Sequence, residues 1–311
     1  MSRPPSARPL LWLASFPKSG STWLRFLLHH LFYGPPARSA LLDIGLPSLH
    51  GDKESPEAAV ARGGVVLTHK SADAHHARWP EGAGFVHLVR HPVDVVMSDT
   101  RFFVMTQLDG YLRSQGRRSD QVRKGDVQVL ANLFLTSVLQ DRATPQRREL
   151  GVGTWGQHTH SWLQRPGPGL RVRYEDLRSQ PKVELRRVLD ALRLPIPDAR
   201  LDQAVAACDV AAMRAMQERE ISAKVPGRFY DPAHAAGYKA GLRFVGPARV
   251  GDLVSLPAPV RVKLRDRLGE QLAALGYAMS AEDAVLERPI GLDELAPLRD
   301  FPGLGVAAPP R

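Results

Sequence analysis

An α/β fold built on a parallel sheet is the architecture this sequence predicts. Two observations lead there. Short apolar runs of strand length alternate with longer stretches of helical periodicity, the pattern that puts helices on the faces of a parallel sheet. The first such unit, Leu11 to Leu31 (LWLASFPKSGSTWLRFLLHHL), joins its strand to its helix through a loop made of Pro17, Lys18, Ser19 and Gly20. A strand, a tight loop and a helix N-terminus in succession aim backbone N–H groups at an anion.

The 311 residues suffice for one large domain, and neither an internal repeat nor a composition break marks a second. With 43% hydrophobic and 24% charged residues, a packed core is expected. The formal net charge of +10 favours anionic partners. The basic residues are scattered, and the densest groups, Arg117-Arg118, Arg147-Arg148 and Arg186-Arg187, are only pairs, so no nucleic-acid partner is expected. Cys208 is the only cysteine, which excludes an intrachain disulfide and a cysteine metal cluster and fits a reducing, cytoplasmic setting. No apolar run approaches the ~20 residues of a membrane span.

The elements follow in order. Residues 1–10 read as a flexible segment, 11–278 as the domain and 279–311 as a Pro-rich tail. Leu11 to Ser15 is the first strand, and Trp23, Phe26, Leu27, Leu28 and Leu31 give the helix after it its apolar spacing. Gly64 to His69 and Phe85 to Val89 are the second and third strands. Pro92 suits the first turn of a helix running to Met105. An Arg-rich stretch from Tyr111 to Lys124 reads as a mobile loop. Val127 to Leu139 and Trp155 to Leu163 read as helices, and Leu170 to Tyr174 as a strand. Pro181 to Leu192 is amphipathic, with Val183, Leu185, Val188, Leu189 and Leu192 on one side. Leu201 to Met216 reads as one helix and Val260 to Leu275 as the last. Lys224 to Gly251, long and without period, reads as a functional lid.

Chemistry concentrates at three places. Lys18 adds a point charge to the first loop, and Ser19, Ser21 and Thr22 add hydroxyl donors. The competing reading is an ordinary turn with a solvated lysine. Arg90 at a strand end and Ser98 two turns into the next helix are placed to share one anion, unless Arg90 simply pairs with Asp94. His69, at another strand end, is a candidate general base; a purely structural histidine is the alternative.

The loop is not the G-x-x-x-x-G-K-[ST] phosphate loop, because Lys18 precedes its glycine. Pro17-Lys18-Ser19-Gly20-Ser21-Thr22-Trp23 instead resembles the 5′-phosphosulfate loop of the sulfotransferases that use 3′-phosphoadenosine-5′-phosphosulfate (PAPS). Arg90-His91-Pro92-Val93-Asp94 through Ser98 resembles that family's 3′-phosphate motif, R-x-P-x-D-x-x-x-S. Thr68-His69 resembles the pair holding its catalytic histidine, although Leu67 stands where the family has lysine and Lys70 follows the histidine instead. Gly153, Trp155, His158 and Trp162 resemble G-x-W-x-x-H-x-x-x-W, and Tyr174-Glu175-Asp176-Leu177 resembles Y-E-D-[LM]. Cys208 to Met213 falls where the family has T-S-F-x-x-M and shares only Met213. At the last motif, R-K-G-x-x-G-D-W, this chain reads Gly246-Pro247-Ala248-Arg249-Val250-Gly251-Asp252-Leu253 and keeps only Gly251-Asp252.

The resemblance implies a P-loop-like three-layer sandwich with a central parallel sheet, and sulfuryl transfer from PAPS to a hydroxyl or amine without a metal. Lys18 and His69 would be catalytic. Lys18, Ser19, Gly20, Ser21, Thr22, Trp23, Arg90, Ser98, Tyr174 and Met213 would hold the nucleotide. Trp155 would stack near the adenine and Trp162 would be core. Arg243 or Arg249 would stand in for the missing Arg-Lys-Gly, as would Lys239. The acceptor is expected to be a small molecule, glycan or peptide, drawn into loops around Gly34 to Lys53 and Arg101 to Lys124, with a homodimer left open. A nucleotide kinase and a non-catalytic nucleotide-binding protein are the alternatives.

Overall fold

The computed structural model describes residues 10–49, 58, 64–74, 83–139, 143–246, 248 and 258–277. Of the segment expected to be flexible, 1–10, Leu10 is instead the buried first residue of a strand; residues 1–9, the Pro-rich tail, Arg249 and Gly251-Asp252 lie outside the described residues. Four parallel strands form one sheet: β1 (Leu10–Ser15), β2 (Gly64–Thr68), β3 (Gly84–Val89) and β4 (Gly169–Arg173), in the order β2-β1-β3-β4. The chain leaves β1 for β2 on one side and returns to β3 on the other. The point between β1 and β3 is therefore where strand order reverses, the place where open α/β sheets leave a crevice at their carboxyl ends.

Both faces of the sheet are covered, as a parallel sheet requires. In β1, Leu11 and Leu13 point into the larger core with Leu24, Leu27, Leu28 and Leu31 of helix α1 (Ser21–Tyr33). Leu10, Trp12 and Ala14 point the other way, against Phe85 and Trp162. This alternation is the two-residue period of a strand, and each such leucine contributes roughly 1.5–3 kcal/mol on full burial. Gly169 is required by closeness alone: a Cβ there would stand 2.1 Å from the ring of Phe85 on the neighbouring strand.

The sequence reading needs correction in several elements. Helix α2 runs from Pro92 to Ser114, past Met105, and Ser119–Gln121 forms a 3-10 turn before the helix at Lys124–Leu139. The stretch expected as a mobile loop is thus mostly ordered, with Arg117 bonded to both carboxylate oxygens of Asp126 at 2.8 and 2.9 Å. The single helix expected over Leu201 to Met216 is two, Asp198–Ala207 and Val210–Ala223. Asp209 breaks it by capping the second, its carboxylate accepting from the Ala212 N–H. Val183 is 57% exposed, on the other side of its helix from buried Leu185, Val188 and Leu189.

The expected lid is anchored over its described part. Phe229 is buried and stacks on Phe26 of α1 at 5.5 Å, and Ala235–Lys239 forms a short helix. Among the described residues no helix is long and apolar enough to cross a membrane.

Candidate functional site

The parallel register sets the site. Each strand ends one step before a residue the sequence singles out: β1 before the Phe16–Gly20 loop, β2 before His69, β3 before Arg90 and β4 before Tyr174. All four open on one side, along the carboxyl edge of the sheet. A cavity of about 750 Å³ lies there, lined by Pro17, Lys18, Gly20 to Trp23, His69, Arg90, Ser98, Tyr174 and Met213 among others. Its size is that of a ligand pocket, typically ~300–1,000 Å³.

The loop turns through left-handed backbone at two residues, Lys18 (φ 71°) and Gly20 (φ 99°). A non-glycine residue held there is strained, and such strain gathers at functional loops. At Gly20 only glycine fits for a second reason: a Cβ would lie 2.4 Å from Cδ2 of Tyr174. The first turn of α1 carries no acidic residue and no side-chain cap, so its N–H groups face the cavity without a competing carboxylate.

Lys18 is the charge at the centre. Its Nζ lies 4.2 Å from the ring centre of Phe102 and 4.1 Å from that of Phe244. Burial pushes its pKa down to about 8; Arg90, Arg101 and Arg228 push the same way, and only Asp99 opposes. Arg90 donates from Nη1 to the Lys18 carbonyl at 3.2 Å and stacks its guanidinium 4.3 Å from the ring centre of Tyr174. Ser98, on α2, also lines the cavity.

His69 is oriented by its neighbouring strand. Ala14 pairs with Thr68, which brings the next residues, Ser15 and His69, side by side. Nδ1 of His69 lies 2.7 Å from the Ser15 carbonyl, which only accepts, so Nδ1 carries the proton and Nε2 is the basic nitrogen.

Behind the cavity, Glu175 links two motifs. One oxygen accepts from the His91 N–H at 2.8 Å, at the start of α2, and the other from the Tyr277 hydroxyl at 2.8 Å. Burial raises its pKa to about 7. A carboxyl whose folded pKa lies above its ordinary value loses stability as pH rises from about 4.5 through 7, because only the unfolded chain ionises freely there. Urea unfolding should therefore show the wild type losing on the order of 1–3 kcal/mol more than Glu175→Gln between pH 5 and pH 7.5. Equal losses would show that this carboxyl stays ionised in the fold.

Four expected residues are placed elsewhere. Ser19 is fully buried and does not line the cavity; its N–H bonds back to the Phe16 carbonyl at 3.2 Å. Trp155 packs in an apolar cluster with Phe16, Val89 and Leu272, and its Nε1 donates to the Arg90 carbonyl, so it supports Arg90 from behind. Arg243 is bonded to Glu218 at 2.6 Å and to the Tyr238 and Leu242 carbonyls, off the cavity wall. Lys70 is likewise not on that wall. Trp162 is core, as expected.

The cavity also holds Arg101 and Phe102, from a stretch expected to meet the acceptor, and residues the sequence reading missed: Asp99, Arg147, Arg228 and Phe244. Asp99, ion-paired with Arg147, is the acidic member of this set. Asp99 and Arg101 follow Ser98 within one turn of α2, a signal that helical spacing carried. Nothing local in sequence marked Arg147 or Arg228.

Such a fold and site define an α/β protein with a cavity lined by Lys18, Arg90 and Arg101 at the carboxyl edge of its sheet. The chain belongs to the sulfotransferase domain family, whose model matches residues 8–226. Sulfotransferase 1A1 of Rattus norvegicus is 23% identical over 208 residues, covering 63% of this chain and 63% of its own. Sulfotransferase 1A1 of Mus musculus is 22% identical over 203 residues, with 61% and 62% covered. The chain thus spans somewhat under two thirds of these relatives. Two solved structures share the fold at 15% identity: mouse sulfotransferase SULT7A1 complexed with PAP (TM-score 0.52; 85% of this chain, 84% of that one) and retinol dehydratase with androsterone and the inactive cofactor PAP (TM-score 0.54; 84% and 80%).

Proposed function

We propose that the chain transfers a sulfuryl group from PAPS to the hydroxyl or amine of a small acceptor. One observation carries the reading: the Lys18 loop, the Arg90–Ser98 pair and His69 border a single cavity at the switch point of the sheet. The donor set fits a nucleotide bearing two separate anions. Lys18 and the α1 N-terminus suit the 5′ end, Arg90 and Ser98 a 3′-phosphate. Tyr174 and Met213, both buried on the wall, suit the base. When bound, PAPS supplies the activated sulfuryl group and a phosphate leaving group.

The chain's own part is positioning and charge. Lys18 neutralises charge that builds on the departing phosphate, as donors in charge-stabilising sites do. His69 accepts the acceptor's proton at Nε2, its ring held by the Ser15 carbonyl. Phe103, Phe134, Leu150 and Val152 line the rest of the cavity with Thr106 and Gln107, a wall suited to an apolar acceptor carrying a hydroxyl. Retinol dehydratase, with androsterone bound in its solved complex, gives that choice a parallel.

The test is transfer of labelled sulfuryl from PAPS to a panel of phenols, steroids, alcohols, sugars and peptides. Labelled product with an apolar alcohol or phenol is the expected result. Tight binding of adenosine 3′,5′-bisphosphate with no transfer to any class would overturn the enzymatic reading, and Mg²⁺-dependent turnover of ATP would replace it with a kinase.

A further inference from the structure

Gly246 brings no side chain to the cavity wall. Gly246 and Ala248 line the cavity, and Arg243 is turned away to Glu218. Gly246 is not among the glycines with positive φ, so its backbone does not demand glycine. What the missing side chain leaves is room. A Cβ on Gly246 would stand 3.7 Å from Nε of Arg101 and 3.9 Å from its Nη2. The Arg101 guanidinium thus stands in van der Waals reach of a side chain at 246.

Arg101 is three residues beyond Ser98 on α2, so the two share a helix face, and both line the cavity with Arg90. Arg101 and Arg90 line the same cavity as Lys18. A dianion such as a phosphate monoester is best held by more than one guanidinium, each offering a planar fork of donors.

We propose that Arg101 is a further ligand of the phosphate that Arg90 and Ser98 hold, reaching it from the helix beside Gly246. The inference rests on the nucleotide reading above. It makes Arg101 a specificity-determining residue for a 3′-phosphorylated nucleotide.

The experiment compares dissociation constants, by calorimetry, for adenosine 3′,5′-bisphosphate and adenosine 5′-monophosphate. The proteins are the wild type, Arg101→Gln, Arg101→Lys and the double variant Arg101→Gln with Gly246→Arg. The wild type should prefer the bisphosphate. Arg101→Gln should lose about ten- to a hundredfold of that preference, the size of one hydrogen bond to a charged group, with the monophosphate bound as before. Arg101→Lys should keep part of it, and the double variant should regain much of it by returning a guanidinium to the same space. A wild type with no preference would overturn the nucleotide reading itself. A wild type with a preference that Arg101→Gln leaves intact would overturn this inference alone. Equal loss of both nucleotides in Arg101→Gln and Arg101→Lys would also overturn it, by making Arg101 a support of the fold.

Discussion

Lys18→Ala is expected to lower turnover by about 10²–10³, with a smaller loss of nucleotide affinity. One charge-stabilising donor removed from an active site costs that much in rate, because its charge matters most where charge develops in the reaction. The structure sharpens the expectation. Lys18 is held by the rings of Phe102 and Phe244, on left-handed backbone, so its position is set by the protein and not by the ligand. Its lowered pKa adds a pH signature. The ammonium is present below about pH 8 and is lost above it, so affinity for an anionic nucleotide should fall as pH rises through 8 in the wild type. That fall should be absent in Lys18→Ala. Calorimetry across pH 7 to 9 with single-turnover assays measures both. Wild-type turnover in the alanine variant would remove the loop from the chemistry.

His69→Ala is expected to abolish detectable transfer while leaving the dissociation constant of adenosine 3′,5′-bisphosphate within a few-fold of wild type. General-base catalysis contributes typically 10²–10⁴ in rate, and the base acts on the acceptor. The ring's Nδ1 bond to Ser15 ties it to β1, beside the loop but not within it. Loss of nucleotide binding together with transfer would make His69 a structural link between two strand ends. Intact transfer would move the base elsewhere, with Asp99 the next carboxylate in the cavity to test.

Much of the site was legible in sequence because it is local. Lys18 to Trp23, Arg90 to Ser98 and Tyr174 each follow a strand directly, so an apolar run and its punctuation were enough to find them. The sheet order explains why reading strand ends worked: in an all-parallel sheet every strand ends on the same side. What failed was anything decided by a partner far along the chain. Trp155 looked exposed to a ligand, but the turn that Thr154 caps sends its ring into the apolar cluster at Leu272. Arg243 looked available until Glu218, on a helix 25 residues earlier, claimed it. Arg101 fell in a stretch expected to meet the acceptor, and its place within one turn of Ser98 also sets it beside the residues proposed for the phosphate.

The contact between Gly20 and Tyr174 has a consequence for how the protein comes into being. The anion loop lies within the first two dozen residues, yet its shape is closed by a ring that follows the last strand of the sheet. Pairings so distant in sequence form late, since the loop between them must be closed first. A chain being synthesised from its N-terminus therefore carries the loop's sequence long before it carries the site. Any ligand that needs the finished cavity would then stabilise all four strands together, by mass action on the folded state alone.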